Sequence, residues 1–214
     1  MRTCSSYIKI IVIVLGVAAL PFQGIAQQPT ASTFFDIGLD NYNKMEYSEA
    51  IDSFEHAIKL KPDYAEAYYH LGNAYYSLHR YDEAVDAYKK AVKADPKYLD
   101  AYLSLGALSS MLGDNDNAVK ALETAVKLDP KHAEAHFKLG NLYSEMDKNE
   151  EAAAAYKTAV KIDPSYAEAR YNLGITYIKL GKRMMTRARQ EYDTLKKLDK
   201  DLAGQLDRMI KGSK

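Results

Sequence analysis

The sequence predicts an all-α solenoid of about five helix–turn–helix repeats of 34 residues, with a C-terminal capping helix. Three observations predict this fold class. Apolar residues recur at helical spacing, small residues and prolines recur every 34 residues, and the last unit departs from that period. Each repeat would bury its open face on the next one, which is how a solenoid is stabilised.

The first 26 residues have the layout of a secretory signal peptide. Arg2 and Lys9 make the start positive, residues 10–20 are apolar or glycine, and Gly24-Ile25-Ala26 forms a small-x-small cleavage site. The apolar run is shorter than the roughly 20 residues that span a bilayer. We therefore expect cleavage after Ala26 and export to the periplasm or cell envelope. Secretion from the cell is a second possible destination, and an uncleaved membrane anchor is the alternative to cleavage.

The second repeat, residues 65–98, shows why each unit is two helices. The apolar residues of its first helix recur at spacings of three and four: Tyr68, Leu71, Tyr75 and Leu78. We expect Asp82 to cap the second helix. Its apolar stripe is Ala84, Val85, Tyr88, Ala91 and Val92. Asp95-Pro96 should end that helix, because proline lacks the amide donor and disfavours helical angles in the residue before it.

Four series of residues recur in one register. Their members are Gly38, Gly72, Gly106, Gly140 and Gly174; Pro62, Pro96, Pro130 and Pro164; Ala50, Ala84, Ala118 and Ala152; and Ala57, Ala91, Ala125 and Ala159. Glycine inside a helix costs about 1 kcal/mol relative to alanine. Its recurrence there indicates that the two helices of a repeat approach each other closely.

These residues resemble the tetratricopeptide repeat family. The motif's first-helix residues are Tyr68, Leu71-Gly72 and Tyr75, and its later residues are Ala84, Tyr88, Ala91 and Pro96. The resemblance covers about residues 31–200. It implies a right-handed superhelical solenoid whose groove is lined by the first helix of every repeat. Because the family serves many partners, the resemblance does not identify the ligand.

The resemblance and the period together divide the chain. The predicted parts are a signal peptide (1–26), a short lead (27–30), five repeats (31–64, 65–98, 99–132, 133–166 and 167–200), and a capping helix with its tail (201–214). In the fifth repeat Ala188 and Tyr192 come two residues late, so residues 183–187 contain an insertion. The amphipathic residues Leu202, Ala203, Leu206 and Ile210 indicate the capping helix.

The residues indicate no enzyme and no cofactor. Cys4, the one cysteine, lies in the signal segment, so the mature chain has no thiolate. His132 and His136 have a spacing of four, but His132 is expected in a turn and His136 at a packing position, so we predict no metal site. The glycines are dispersed singly and form no phosphate-binding loop.

Charge is distributed unevenly along the chain. Residues 27–181 carry a formal charge of −7, and the residues from Lys182 onward carry +5. Acidic residues are interspersed among the basic ones at this C-terminal end, which argues against nucleic acid as a partner and favours a solvated surface.

The predicted binding surface is the groove. Aromatic and amide side chains at corresponding positions of the first helices are expected to line it: Phe35, Tyr69, Asn73, Tyr76, Phe137, Asn141 and Tyr171. Glu66, Asp100, Glu134 and Glu168 would form an acidic rim that favours basic ligands. Some family members hold a chaperone's C-terminal carboxylate with lysine and asparagine in one repeat and lysine and arginine two repeats on. Here Phe35, Tyr69 and Phe137 fill the lysine place, so that clamp is absent.

We therefore predict an exported, non-enzymatic scaffold that binds a peptide or protein segment in its groove and assists assembly of an envelope complex. One alternative is a membrane-tethered assembly factor with an uncleaved N-terminus, and another is a non-catalytic recruiting subunit of an enzyme. No stable membrane span is expected once the signal segment is removed.

Overall fold

The computed structural model describes residues 29–181 and 184–213, so the predicted signal peptide lies outside the described residues. Within these ranges the chain forms eleven α-helices and no strand, which confirms the all-α repeat fold. The helices are α1 (Ala31–Asn43), α2 (Tyr47–Leu60), α3 (Ala65–Ser77), α4 (Tyr81–Ala94), α5 (Leu99–Met111), α6 (Asn115–Leu128), α7 (Ala133–Glu145), α8 (Asn149–Ile162), α9 (Ala167–Lys179), α10 (Met185–Leu198) and α11 (Lys200–Gly212).

The helices pack in consecutive pairs. The odd-numbered helices α1 to α9 are the first helices of the repeats, and each packs on the second helix that follows it. Each second helix of the first four repeats then packs on the first helix of the next repeat. Neighbouring first helices such as α5 and α7 also contact each other, so together they form one continuous face. We call this the groove face.

The predicted alanine series forms the centre of the packing between the helices. All eight residues are completely buried: Ala50, Ala57, Ala84, Ala91, Ala118, Ala125, Ala152 and Ala159. A small side chain at each of these places lets the two backbones approach, and larger residues around it fill the remaining space. The 34-residue register read from the sequence is therefore confirmed by burial.

The repeated glycines lie where the first helix meets a large side chain of the second. A Cβ atom on Gly72 would lie 2.6 Å from Cε1 of Tyr88, and one on Gly140 would lie 2.7 Å from Cδ1 of Tyr156. Both distances are too short for non-bonded carbon atoms. The glycines are thus needed for this close approach, as the sequence indicated.

The turn between the two helices of each repeat uses a left-handed backbone residue. Its φ angle is 63° at Met45, 58° at His79, 78° at Gly113, 56° at Asp147 and 90° at Gly181. These positions are 34 residues apart. The sequence analysis did not identify the series, because in three of the five repeats the residue is not glycine.

The expected cap of α4 is wrong. Helix α4 begins at Tyr81 with Arg80 at the N-cap position, and no side chain makes a capping hydrogen bond there. Asp82 lies within the first turn instead, where its negative charge is favourable next to the helix N-terminus. A side chain does cap α11, since Asp199 accepts hydrogen bonds from the backbone nitrogens of Asp201 and Leu202.

The capping helix α11 completes the last repeat. A Cβ atom on Gly174 would lie 2.6 Å from Cδ2 of Leu206, a residue of α11, whereas the earlier glycines face a residue of the second helix of their own repeat. Ala188 and Leu195 of α10 are completely buried, but Tyr192 is only half-buried. The aromatic role that the sequence assigned to Tyr192 is thus taken by Leu206.

An ion pair joins the two helices of the fifth repeat. Nη1 of Arg170 donates to Oε2 of Glu191 over 3.0 Å, and Nε of Arg170 donates to the carbonyl oxygen of Pro164 over 2.9 Å. The two charged side chains are only 13% and 16% exposed. Burial raises the pKa of Glu191, while the hydrogen bond and the charge of Arg170 oppose that shift.

Candidate functional site

The aromatic residues predicted for the groove pack against a second aromatic residue of their own repeat. Ring centroids are 5.0 Å apart for Phe35 and Tyr64, 5.1 Å for Tyr69 and Tyr98, and 4.9 Å for Phe137 and Tyr166. Pairs at this separation are favourable beyond their buried area. Phe35, Tyr69 and Phe137 therefore have their ring orientations restricted before any ligand binds.

The partners in these pairs are residues that sequence reasoning missed. Tyr64, Tyr98 and Tyr166 follow the repeat proline by two residues and recur at the 34-residue period, with His132 at the same place in the third repeat. Their periodicity was the signal that could have identified them. Burial is the main cause that raises the pKa of Tyr98, so its hydroxyl group remains protonated at neutral pH.

The two asparagines of the groove are held by buried tyrosines of the second helices. The Tyr88 hydroxyl donates to Oδ1 of Asn73 over 2.7 Å, and the Tyr156 hydroxyl donates to Oδ1 of Asn141 over 2.8 Å. Burial raises the pKa of Tyr156 to about 12, which keeps its hydroxyl a donor.

A second residue also binds Asn141. Nδ2 of Asn172, in the next repeat, donates to the same Oδ1 atom over 2.9 Å. The Nδ2 groups of Asn73 and Asn141 have no hydrogen-bond partner among residues 29–181 and 184–213. Each asparagine is therefore fixed by its carbonyl oxygen and keeps two N–H donors, which suit a carbonyl oxygen of a ligand backbone.

A hollow of about 290 Å³ lies where three successive first helices meet. It is lined by residues of α3, α5 and α7: Tyr69, Asp100, Leu103, Ser104, Ala107, Glu134 and Lys138. We call it the central hollow. The third repeat provides its floor, because Leu103, Ser104 and Ala107 are smaller than the aromatic and amide residues of the neighbouring repeats.

A second hollow of about 300 Å³ lies between the fourth and fifth repeats. Its lining is largely polar and uncharged, apart from one glutamate: Asn141, Ser144, Glu145, Tyr156, Asn172, Ile175 and Thr176. Oε2 of Glu145 accepts a hydrogen bond from Oγ of Ser110 over 2.8 Å, which ties the third repeat to the fourth.

The remaining two predicted site residues have different surroundings. Tyr76 is 45% exposed, and its ring lies 5.6 Å from that of Tyr81. The Tyr171 hydroxyl donates to Oε1 of Gln205 in the capping helix over 3.3 Å. Tyr76 is therefore open to a ligand, whereas Tyr171 lies at the end of the groove face next to α11.

The four carboxylates of the predicted acidic rim are all exposed: Glu66, Asp100, Glu134 and Glu168. Burial is the main cause that raises the pKa of Tyr166, and the nearby negative charges of Glu134 and Glu168 raise it further. The rim thus lies beside the aromatic pairs. Oε1 of Glu134 is 3.2 Å from Nζ of Lys138, one turn further along α7.

The two histidines considered as metal ligands have structural roles. Nδ1 of His132 accepts a hydrogen bond from the backbone nitrogen of Ala135 and so caps α7, while Nε2 of His136 lies 3.2 Å from the carbonyl oxygen of Pro130. Within the described residues, no group of three histidine, cysteine, aspartate or glutamate side chains could hold a metal ion.

Three family models match the chain. A model described as a TPR repeat matches residues 111–147 and 145–181, and two models described as tetratricopeptide repeats match residues 35–98 and 87–120. Together these matches run from residue 35 to residue 181, so they include only the first part of the fifth predicted repeat. No curated protein sequence matches the chain.

Solved structures share the fold over most of the chain. The structure of MamA protein is 26% identical, covers 81% of this chain and 94% of its own, and superposes with a TM-score of 0.72. YrrB, whose structure is described as a TPR protein with an unusual peptide-binding site, is also 26% identical, with coverages of 85% and 94% and a TM-score of 0.72. MamA from Desulfovibrio magneticus RS-1 is 23% identical, with coverages of 82% and 98% and a TM-score of 0.72, and supports the fold alone.

Proposed function

The chain belongs to the tetratricopeptide repeat family, and from that premise we propose that it is an exported scaffold whose groove face binds a peptide or protein segment. Proteins of this family generally act through protein–protein interaction rather than catalysis. The proposed role is to assist the assembly of a complex in the periplasm or cell envelope.

One observation carries the proposal. Asn73 and Asn141 are held at corresponding positions two repeats apart, each by a buried tyrosine hydroxyl, and each presents unpaired amide donors on the groove face. Amide donors fixed in this way can bind the backbone of an extended segment without losing side-chain freedom on binding. The ordered rings of Tyr69 and Phe137 beside them supply apolar contact area.

The similarity to YrrB supports a peptide as the ligand, because that protein is described as having a peptide-binding site and shares this fold at 26% identity. The family match alone does not show which surface of the protein binds the ligand. Support for the groove face comes from the fixed asparagines and the aromatic pairs of this chain.

The proposed export rests on the N-terminal sequence. Arg2, Lys9 and the apolar run before Ala26 have the order of a cleavable signal. Among the described residues, no helix has both the length and the apolar character required to cross a membrane. If the N-terminus is kept rather than cleaved, the same groove would serve a membrane-tethered assembly factor.

Capture from the native envelope fraction tests the proposal. We expect the protein with Tyr69→Ala and Phe137→Ala to lose its partners, because truncating an aromatic anchor commonly costs about 2 kcal/mol or more of binding. The control carries Lys89→Ala and Lys157→Ala on the exposed faces of α4 and α8 and should retain them. Circular dichroism must show that both proteins keep their helical content.

The opposite pattern would refute the proposal. If capture survives the two groove changes but is lost when Arg187 and Arg189 are neutralised, the contact surface is the basic C-terminal end. Both arginines are exposed on α10, so replacing them should leave the fold intact.

A further inference from the structure

The central hollow carries unbalanced negative charge. Asp100 and Glu134 come from successive first helices, and Lys138 is the one cation in the lining. Within the described part of the chain, the Asp100 carboxylate has no hydrogen bond and no ion pair. The hollow thus presents one unpaired carboxylate, and a second that is paired only with a half-buried lysine.

The aromatic wall of the hollow complements these charges. The ring of Tyr69 lines the hollow and is held by Tyr98 at a centroid distance of 5.1 Å. The face of an aromatic ring attracts a cation, and a planar guanidinium can stack on it while its N–H groups bind carboxylates. A floor of Leu103, Ser104 and Ala107 leaves room for such a side chain.

We propose that the central hollow binds an arginine side chain of the ligand, with the guanidinium stacked on Tyr69 and hydrogen-bonded to Asp100 and Glu134. This inference rests on the proposed function, since the arginine belongs to the segment bound on the groove face. Charge complementarity selects this partner. An acidic segment would be repelled by both carboxylates, and a neutral side chain would leave Asp100 unpaired.

Lys138 regulates the strength of this site. In the free protein its ammonium group lies 3.2 Å from Oε1 of Glu134, where the incoming guanidinium would bind. The ligand therefore competes with an internal cation for Glu134. Removing that cation should strengthen arginine binding, although it removes an ion pair from the free protein.

The first test uses peptides of known composition. A library of random peptides displayed on phage is selected on the immobilised protein, and the selected peptides are synthesised with each arginine or with citrulline in its place. Citrulline has nearly the same shape but no charge. We expect the selected peptides to share one arginine whose replacement weakens binding about tenfold, the effect of losing a hydrogen bond to a charged group.

Matched variants then locate the arginine. Asp100→Asn should abolish most of the preference for arginine over citrulline, whereas Asp116→Asn, the same charge change on an exposed position of α6, should preserve it. Lys138→Met should tighten the arginine peptide several-fold, whereas Lys157→Met on α8 should leave its Kd unchanged. Fluorescence anisotropy measures all four variants.

The outcomes separate this inference from the proposed function. If selected peptides depend on Tyr76 and Asn141 but bind equally well with citrulline, the arginine site is refuted and the groove remains the binding surface. If binding is insensitive to groove variants, or if no peptide is selected, the proposed function fails and the arginine site fails with it. If the selected peptides share a lysine instead of an arginine, the proposal that a guanidinium stacks on Tyr69 is refuted.

Discussion

Two glycines inside helices of this chain should respond oppositely to the same substitution. Gly140 lies in α7, where an added Cβ would be 2.7 Å from both Cδ1 and Cε1 of Tyr156. Gly204 lies in α11, where an added Cβ would meet nothing within 4 Å. We expect Gly140→Ala to destabilise the protein and Gly204→Ala to stabilise it.

The magnitudes follow from the surroundings of each residue. Replacing glycine by alanine in a helix interior gains about 1 kcal/mol at either site. At Gly140 the tyrosine must move, yet Tyr156 is only 2% exposed and its hydroxyl is bonded to Asn141. Overpacking costs about 1–3 kcal/mol, and loss of the hydrogen bond about 1 kcal/mol more. We therefore expect a net loss of about 1–3 kcal/mol for Gly140→Ala.

Thermal unfolding followed by circular dichroism measures both effects. For a chain of this size, 1 kcal/mol shifts Tm by about 2–4 °C, so the two variants should move Tm in opposite directions. Equal stabilisation by both substitutions would show that Gly140 and Tyr156 are not in close contact. The reasoning about the repeated glycines would then be wrong.

Three further predictions concern the turn, the ion pair and export. Met45→Gly should stabilise the protein by up to about 1 kcal/mol, measured by denaturant unfolding, because only glycine adopts the left-handed backbone freely and Met45 is 74% exposed. Arg170→Ala should lower Tm most at neutral and alkaline pH. It leaves the carboxylate of Glu191 buried and unpaired, which raises the pKa of Glu191 further. The loss of Tm relative to the unchanged protein should therefore become smaller as the pH falls through that pKa, because Glu191 is then protonated. Intact mass measurement should find a mature chain that starts at Gln27 in the soluble envelope fraction, and a full-length chain in the membrane fraction would contradict the export proposal.

The repeat register was predictable because burial has the same period as the sequence. The completely buried alanines, such as Ala84 and Ala118, recur every 34 residues. The aromatic residues of the groove were predicted from the spacing of residues within the first helices. What the sequence analysis did not anticipate was that Phe35, Tyr69 and Phe137 each pack on another aromatic residue.

The unpredicted features have two physical causes. Tyr64, Tyr98 and Tyr166 follow a proline and resemble loop residues, although the loop returns them to the groove face. The contact between Gly174 and Leu206 joins residues 32 apart, whereas the earlier glycines meet a residue 16 positions away, so the repeat period could not reveal it. The hollows depend on the side-chain volumes of residues from three neighbouring helices. The sequence analysis considered the helices one at a time and so could not predict them.

The central claim, that the groove face binds the partner, is tested most directly by site-specific photo-crosslinking in the native cells. A photoreactive phenylalanine analogue replaces Tyr76, which is 45% exposed on the groove face, or Lys89, which is exposed on the second helix of the same repeat. Neither change disturbs a buried side chain. The account predicts a crosslinked partner from position 76 and none from position 89. A crosslink from position 89 with none from position 76 would contradict it.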